Sequence, residues 1–201
     1  MLYLGLPLFL YTMRHRIAEH IVPTILILAA GCLLYLLVSP QFDGSQLWHT
    51  ARFRRHIRGT LVNFFIGASG ITAGLVIFSP ELFLSFPREQ TSAWLVLLVS
   101  YPVFSVYPQE IIFRAFLFHR YRALFPSKRA RIGASGVAFS LAHLVFANWV
   151  APLITLAGGL LFARTYSRSG SLLQATIEHG LWGLFVFTIG LGWYLYGAHI
   201  I

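Results

Sequence analysis

Apolar runs about as long as a bilayer is thick alternate along this chain with short stretches that hold most of its basic residues. Ile21–Ser39 and Thr60–Phe78 are each long enough to cross a membrane as a helix, and so is Leu172–Tyr196. Ala93–Tyr107 runs into Pro108 and a second helical stretch from Gln109 to Phe125. Ile132–Ala147 and Trp149–Phe162 meet at Asn148. The expectation is an all-α, polytopic transmembrane bundle of six to eight membrane helices, forming one membrane-embedded domain over residues 1–201.

Composition agrees. Hydrophobic residues make up 57% of the chain and charged ones 10%, with a mean hydropathy of +0.72. A soluble domain carries about a quarter charged residues. The net charge of +9 would suggest nucleic acid in a soluble protein. Here it sits in Arg52–Arg58, Arg120–Arg131 and Arg164–Arg168, the pattern of cytoplasmic loops at an anionic membrane face. No nucleic-acid partner is expected; membrane lipid is. Cys32 lies in an apolar run and reads as packing, since a lone cysteine forms neither an intrachain disulfide nor a thiolate-rich metal site. The first run, Leu2–Met13, lacks the flanks of a cleaved signal and reads as part of the bundle.

Two further boundaries stay open or provisional. Proline disfavours helix in the residue before it and is tolerated in a first helical turn. Either one long helix kinks near Pro108 or a new one starts there. Arg164–Ser171 reads as a short polar loop, and Gln41–Arg58 as a polar connection.

Against this background a few residues stand out. Of six acidic residues, Glu110 and Glu178 lie within or beside long apolar runs, as do His143, His179 and Arg114. An ionisable group at membrane depth costs roughly 2.5–3.5 kcal/mol on insertion scales, so each needs a partner, water or a task. Glu110 and Arg114 are four apart and share a helix face, as do Phe139 and His143. Glu178 and His179 are adjacent and point about 100° apart on a helix. Structural readings compete with functional ones. Glu110–Arg114 is an ion pair fixing register or part of a site, and Arg114 could instead snorkel to a loop. His143 and His179 are helix–helix hydrogen-bonding residues or ligands. Glu178 faces water near a loop, and Asn148 is a turn residue or a pocket residue. A carboxylate and two histidines on three apolar helices form an inventory for hydrolysis, and would serve a proton path in a transporter nearly as well.

At these residues the chain resembles the CAAX-protease and bacteriocin-processing (CPBP, or ABI) intramembrane proteases. Members of that family carry Glu-Glu-x-x-x-Arg, Phe-x-x-x-His and His-x-x-x-Asn/Asp on separate membrane helices. The corresponding segments are Gln109-Glu110-Ile111-Ile112-Phe113-Arg114, Phe139-Ser140-Leu141-Ala142-His143 and His179-Gly180-Leu181-Trp182-Gly183, in family order within about residues 93–190. The resemblance implies an endopeptidase in the cell's inner or plasma membrane, cleaving a membrane-associated or lipidated peptide. Glu110 would activate water, His143 and His179 would polarise the scissile carbonyl, and Arg114 would hold the carboxylate. Gln109, Asn148, Glu178 and Phe139 would support the site. Glu110, His143 and His179 would also suffice for a divalent metal such as zinc, if one is used. The chain departs from the pattern twice: Gln109 stands where the family's usual base stands, and Gly183 replaces the last Asn or Asp. A member that has kept the fold and binds a membrane partner without catalysis is the alternative.

Overall fold

The computed structural model describes residues 20–195, together with residues 3, 5, 7, 11, 12 and 14. The chain's first run, Leu2–Met13, therefore falls largely outside the described residues. Within them the backbone is helix, turn and loop, with no strand. Seven helices follow in order: α1 (Ile21–Val38), α2 (Thr50–Phe78), the short α3 (Ser85–Glu89), α4 (Thr91–Arg120), α5 (Lys128–Ala142), α6 (Val150–Ser169) and α7 (Leu172–Thr188). Residues 21–38, 57–78, 91–120 and 150–169 are helical stretches long and apolar enough to span a membrane. The 15-residue α5 and 17-residue α7 are shorter. Phe78 is 85% exposed and Ile27 73%, which a bundle tolerates only where lipid covers those faces. Cys32 is buried and unbonded, as a packing residue should be.

Cross-links at the two ends show how the helices alternate. At one end Ser39 meets His119 (2.8 Å), Tyr166 donates to Gln46 (3.0 Å) and Gln174 donates to Thr60 (3.2 Å). At the other, Trp94 donates to Thr188 (3.0 Å), the Leu84 amide to the Ile189 carbonyl (3.3 Å) and Asn148 to the Tyr194 carbonyl (2.7 Å). The basic segments around Arg55, Arg120–Arg131 and Arg164–Arg168 thus gather at one end, as the charge pattern required.

The open question at Pro108 resolves as one continuous helix. α4 runs through both prolines by widening into π-helix at Pro102–Val106 and again at Ile111–Phe116. A proline in a helix interior withdraws one donor and crowds the carbonyl four residues back. A π turn, with its i→i+5 bond, absorbs both effects: the Tyr107 amide reaches the Pro102 carbonyl. Tyr3 donates to the Ile112 carbonyl (2.6 Å) within the second π segment.

Three boundaries differ from the sequence reading. Helix α2 begins at Thr50, so the arginines of the polar connection lie on its first turns. Helix α6 continues to Ser169 and stops at Gly170, whose φ of 59° suits glycine, so Arg164–Ser169 is helix and not loop. Polar composition marks the edge of the hydrocarbon, not the end of the helix; long arginine side chains reach water from helical backbone. The last run is two pieces, because Gly190 (φ 104°) separates α7 from a 3₁₀ turn at Leu191–Leu195.

Helices α5 and α6 pack through facing glycines. A Cβ on Gly159 would lie 3.1 Å from the Gly136 backbone and from the Phe139 ring. Small residues let membrane helices approach closely, which matters because lipid supplies no hydrophobic drive for association. Gly159→Leu is expected to lower the thermal midpoint of the purified protein, at an overpacking cost of about 1–3 kcal/mol. Gly70→Ala, with open space around its Cβ, is the control that leaves the midpoint unchanged or raises it.

Candidate active site

Three helices bring the unusual polar residues together. Helix α4 supplies Gln109, Glu110 and Arg114, α5 supplies Phe139, the turn directly after it supplies His143, and α7 supplies His179. Glu110 and Arg114 are both completely buried, with Arg114 Nε 3.2 Å from Glu110 Oε2. The other carboxylate oxygen, Oε1, lies 2.9 Å from Nδ1 of His179. A carboxylate held beside a guanidinium accepts, so Nδ1 of His179 carries the proton and its Nε2 is left with a lone pair.

Phe139 is the spacer of this cluster. Its ring lies 4.6 Å from the guanidinium carbon of Arg114, and its centroid is 4.6 Å from the His143 ring and 5.3 Å from His179. On its other side His179 stacks on Phe162 at 4.6 Å and 14°. The aromatic faces give the buried cation a partner where hydrogen bonds are short: Nη1 and Nη2 of Arg114 make none among the described residues. They also hold the imidazole in one plane.

His143 begins the 3₁₀ turn that follows α5, and its Nδ1 donates to the Phe139 carbonyl (2.7 Å). Its Nε2 is thereby the free acceptor. His143 lines a cavity of about 470 Å³ between α1 and α4 whose wall also includes Tyr101 and Gln109, and otherwise mostly apolar residues such as Ile25, Leu97 and Phe187. Gln109 donates to Ser105 (2.7 Å), keeping a second amide N–H. Glu110 and His179 do not line this cavity; they sit behind it.

The other candidates lie elsewhere. Asn148 donates to the Phe146 and Tyr194 carbonyls and accepts from the Ala151 amide at the start of α6, so its amide closes a turn. Glu178 points away from His179, as adjacent helical residues must. It is buried in a smaller cavity of about 250 Å³ with Gln174, Thr165 and Arg164. Sequence reasoning passed over Tyr101, whose hydroxyl lies 3.4 Å from His179 Nε2. A tyrosine in an apolar run carries no signal of its own.

The three-ligand metal set does not assemble in this arrangement. Glu110 and His179 are committed to each other, the second carboxylate oxygen to Arg114, and Nδ1 of His143 to a carbonyl. Among the described residues no group of three His, Cys, Asp or Glu side chains is placed to hold an ion.

A buried charge stripped of its partner is costly. Arg114→Met is expected to destabilise the protein by about 3–5 kcal/mol by taking the guanidinium from the buried Glu110 carboxyl, while Glu110→Gln/Arg114→Met regains much of the loss. Thermal unfolding in detergent measures both; a single variant as stable as wild type would show that the pair carries no such role.

The family described as Type II CAAX prenyl endopeptidase Rce1-like matches residues 87–195, which include α4 to α7 and the whole cluster. No curated protein and no solved structure matches the chain. With more than half of its length matched, and with an all-α membrane bundle that places the acid and both histidines on separate helices, the chain belongs to the Rce1-like CAAX prenyl endopeptidase family.

Proposed function

We propose that this protein is an intramembrane endopeptidase that cleaves a lipidated or membrane-associated peptide, working as a single domain in the cell's inner or plasma membrane. The observation that carries this reading is the Glu110–His179 hydrogen bond, buried behind an apolar cavity that also exposes His143. A carboxylate behind an imidazole orients it and stabilises the imidazolium formed when it takes a proton. His179 is therefore the base in this reading, since a carboxylate backs its imidazole while only a carbonyl backs that of His143. Glu110 acts through His179, because its own oxygens are engaged and wholly buried.

The remaining groups have complementary tasks. His143 Nε2 accepts a hydrogen bond from the attacking water and orients it. The free amide N–H of Gln109 is a donor for the carbonyl oxygen as negative charge develops there. Arg114 pairs with the Glu110 carboxylate and holds it in place. The apolar walls, to which α1 contributes Ile25 and Leu28, suit a lipid chain or apolar side chains.

Gln109 favours a second reading, because an amide cannot take the proton that a glutamate would: a family member that binds a membrane partner without cleaving it. Proteoliposomes carrying a farnesylated peptide distinguish the two readings, with products identified by mass spectrometry. On the endopeptidase reading the wild type cleaves, and His179→Ala, His143→Ala and Glu110→Gln each lose about 10²–10⁴-fold in rate. Full activity of either histidine variant would overturn the assignment. On the second reading the wild type is inert and Gln109→Glu creates cleavage.

A further inference from the structure

The base proposed above has no direct access to the cavity. Glu110 is wholly buried and His179 is 4% exposed, and neither borders the space where a peptide would lie. Tyr101 bridges this gap. It stands at the end of the first α-helical stretch of α4, just before Pro102 and the π segment, and its ring forms part of the cavity wall. Its hydroxyl lies 3.4 Å from His179 Nε2. Since the Nδ1–H of His179 donates its hydrogen bond to Glu110, Nε2 is an acceptor, and the phenol O–H donates to it. The order from cavity to interior is hydroxyl, imidazole, carboxylate, which is the polarity of a general-base triad.

A second observation, independent of the hydrogen bond, fixes the hydroxyl in that position. The phenol fills the space beside Gly183, one helical turn beyond His179. A Cβ there would collide with the hydroxyl and come within 2.7 Å of the ring carbon that bears it. Only glycine at 183 leaves room for Tyr101. The ring packs edge-on against Phe187 at 5.2 Å, which holds it against α7. The missing side chain at 183 is thus matched by a hydroxyl delivered from α4.

We propose that Tyr101 is a catalytic residue that carries protons between the cavity and the Glu110–His179 pair; this rests on the endopeptidase reading. In the first half of the reaction, water in the cavity gives a proton to Tyr101 Oη while the phenol proton passes to His179 Nε2. The resulting hydroxide forms the new C–O bond with the scissile carbonyl, and the carbonyl π pair moves onto oxygen. The imidazolium is held by the Glu110 carboxylate. In the second half His179 returns its proton to Oη, and the phenol proton passes to the departing nitrogen as the C–N bond breaks with its electron pair. One water is consumed and Tyr101, His179 and Glu110 end as they began. The phenol exchanges protons in concert and is never left as a phenolate. A hydrogen bond of 3.4 Å is long, and such bonds tighten when substrate closes the site.

The test uses the full-length protein in proteoliposomes with a farnesylated peptide. Tyr101→Phe keeps the ring and removes only the O–H. It is expected to lower kcat by about 10²-fold or more, with KM changed less than about threefold and thermal stability retained. Gly183→Ala, which drives a methyl into the hydroxyl's place, is expected to lower kcat as well, and Tyr101→Phe added to it should cost little more because the relay is already broken. Tyr101→Phe retaining more than about a tenth of wild-type kcat, with the wild type active, overturns the relay and leaves the endopeptidase reading standing. A wild type that cleaves nothing overturns that reading and the catalytic role with it. The underlying link is then read separately from ¹⁵N-histidine spectra. The His179 Nε2 signal is expected to shift in Tyr101→Phe, and an unchanged signal shows that Tyr101 does not bond to His179.

Discussion

The buried ion pair between Glu110 and Arg114 is the constraint around which the rest of the site is arranged. Two charges without solvent exposure demand compensation, since the desolvation of each costs several kcal/mol. The compensation comes from three directions: the pair itself, the His179 N–H on Glu110, and the aromatic faces of Phe139 and Phe162 around Arg114. Each of these partners sits on a different helix from the pair. Helices α5, α6 and α7 are therefore tied to α4 by the need to solvate two charges that lipid will not.

That arrangement explains how a site can be polar at its heart and apolar at its entrance. The charges are screened by aromatic rings, so the cavity in front of them presents mainly hydrocarbon, with only His143, Gln109, Tyr101 and a few hydroxyls as polar groups. A lipid-bearing peptide meets a compatible surface, and the reactive groups stay preorganised behind it. The π-helical turns of α4 serve the same end. They let one helix pass two prolines without breaking and carry Tyr101 at one end of the segment and Glu110 and Arg114 at the other.

Much of the fold was legible because lipid removes options. Apolar runs of spanning length can only be helices, and basic clusters choose their side. Glu110, His143 and His179 stood out because ionisable groups are rare where no water solvates them, and Arg114 followed from its spacing of four. Two of the boundaries that differ share one cause. Arg164–Ser169 and the arginines before Thr60 are polar and look like loop, whereas helix persists beyond the hydrocarbon. Asn148 closes a turn at α6, a use that composition does not distinguish from a pocket residue.

The sequence by itself determined the solvent, the helical class, the family motifs and the charged residues that must find partners. All of these follow from the cost of placing particular groups in hydrocarbon, which is a property of each residue and its near neighbours. Tertiary structure alone decided which groups meet. It put Glu110 behind His179 instead of against water, turned Glu178 into a separate cavity, and set Tyr101 in the space left by Gly183. Those outcomes depend on distances between helices 69 to 94 residues apart in the chain, such as Glu110 to His179 and Trp94 to Thr188. No local pattern encodes such distances; they are set by how closely the glycine-lined helices pack.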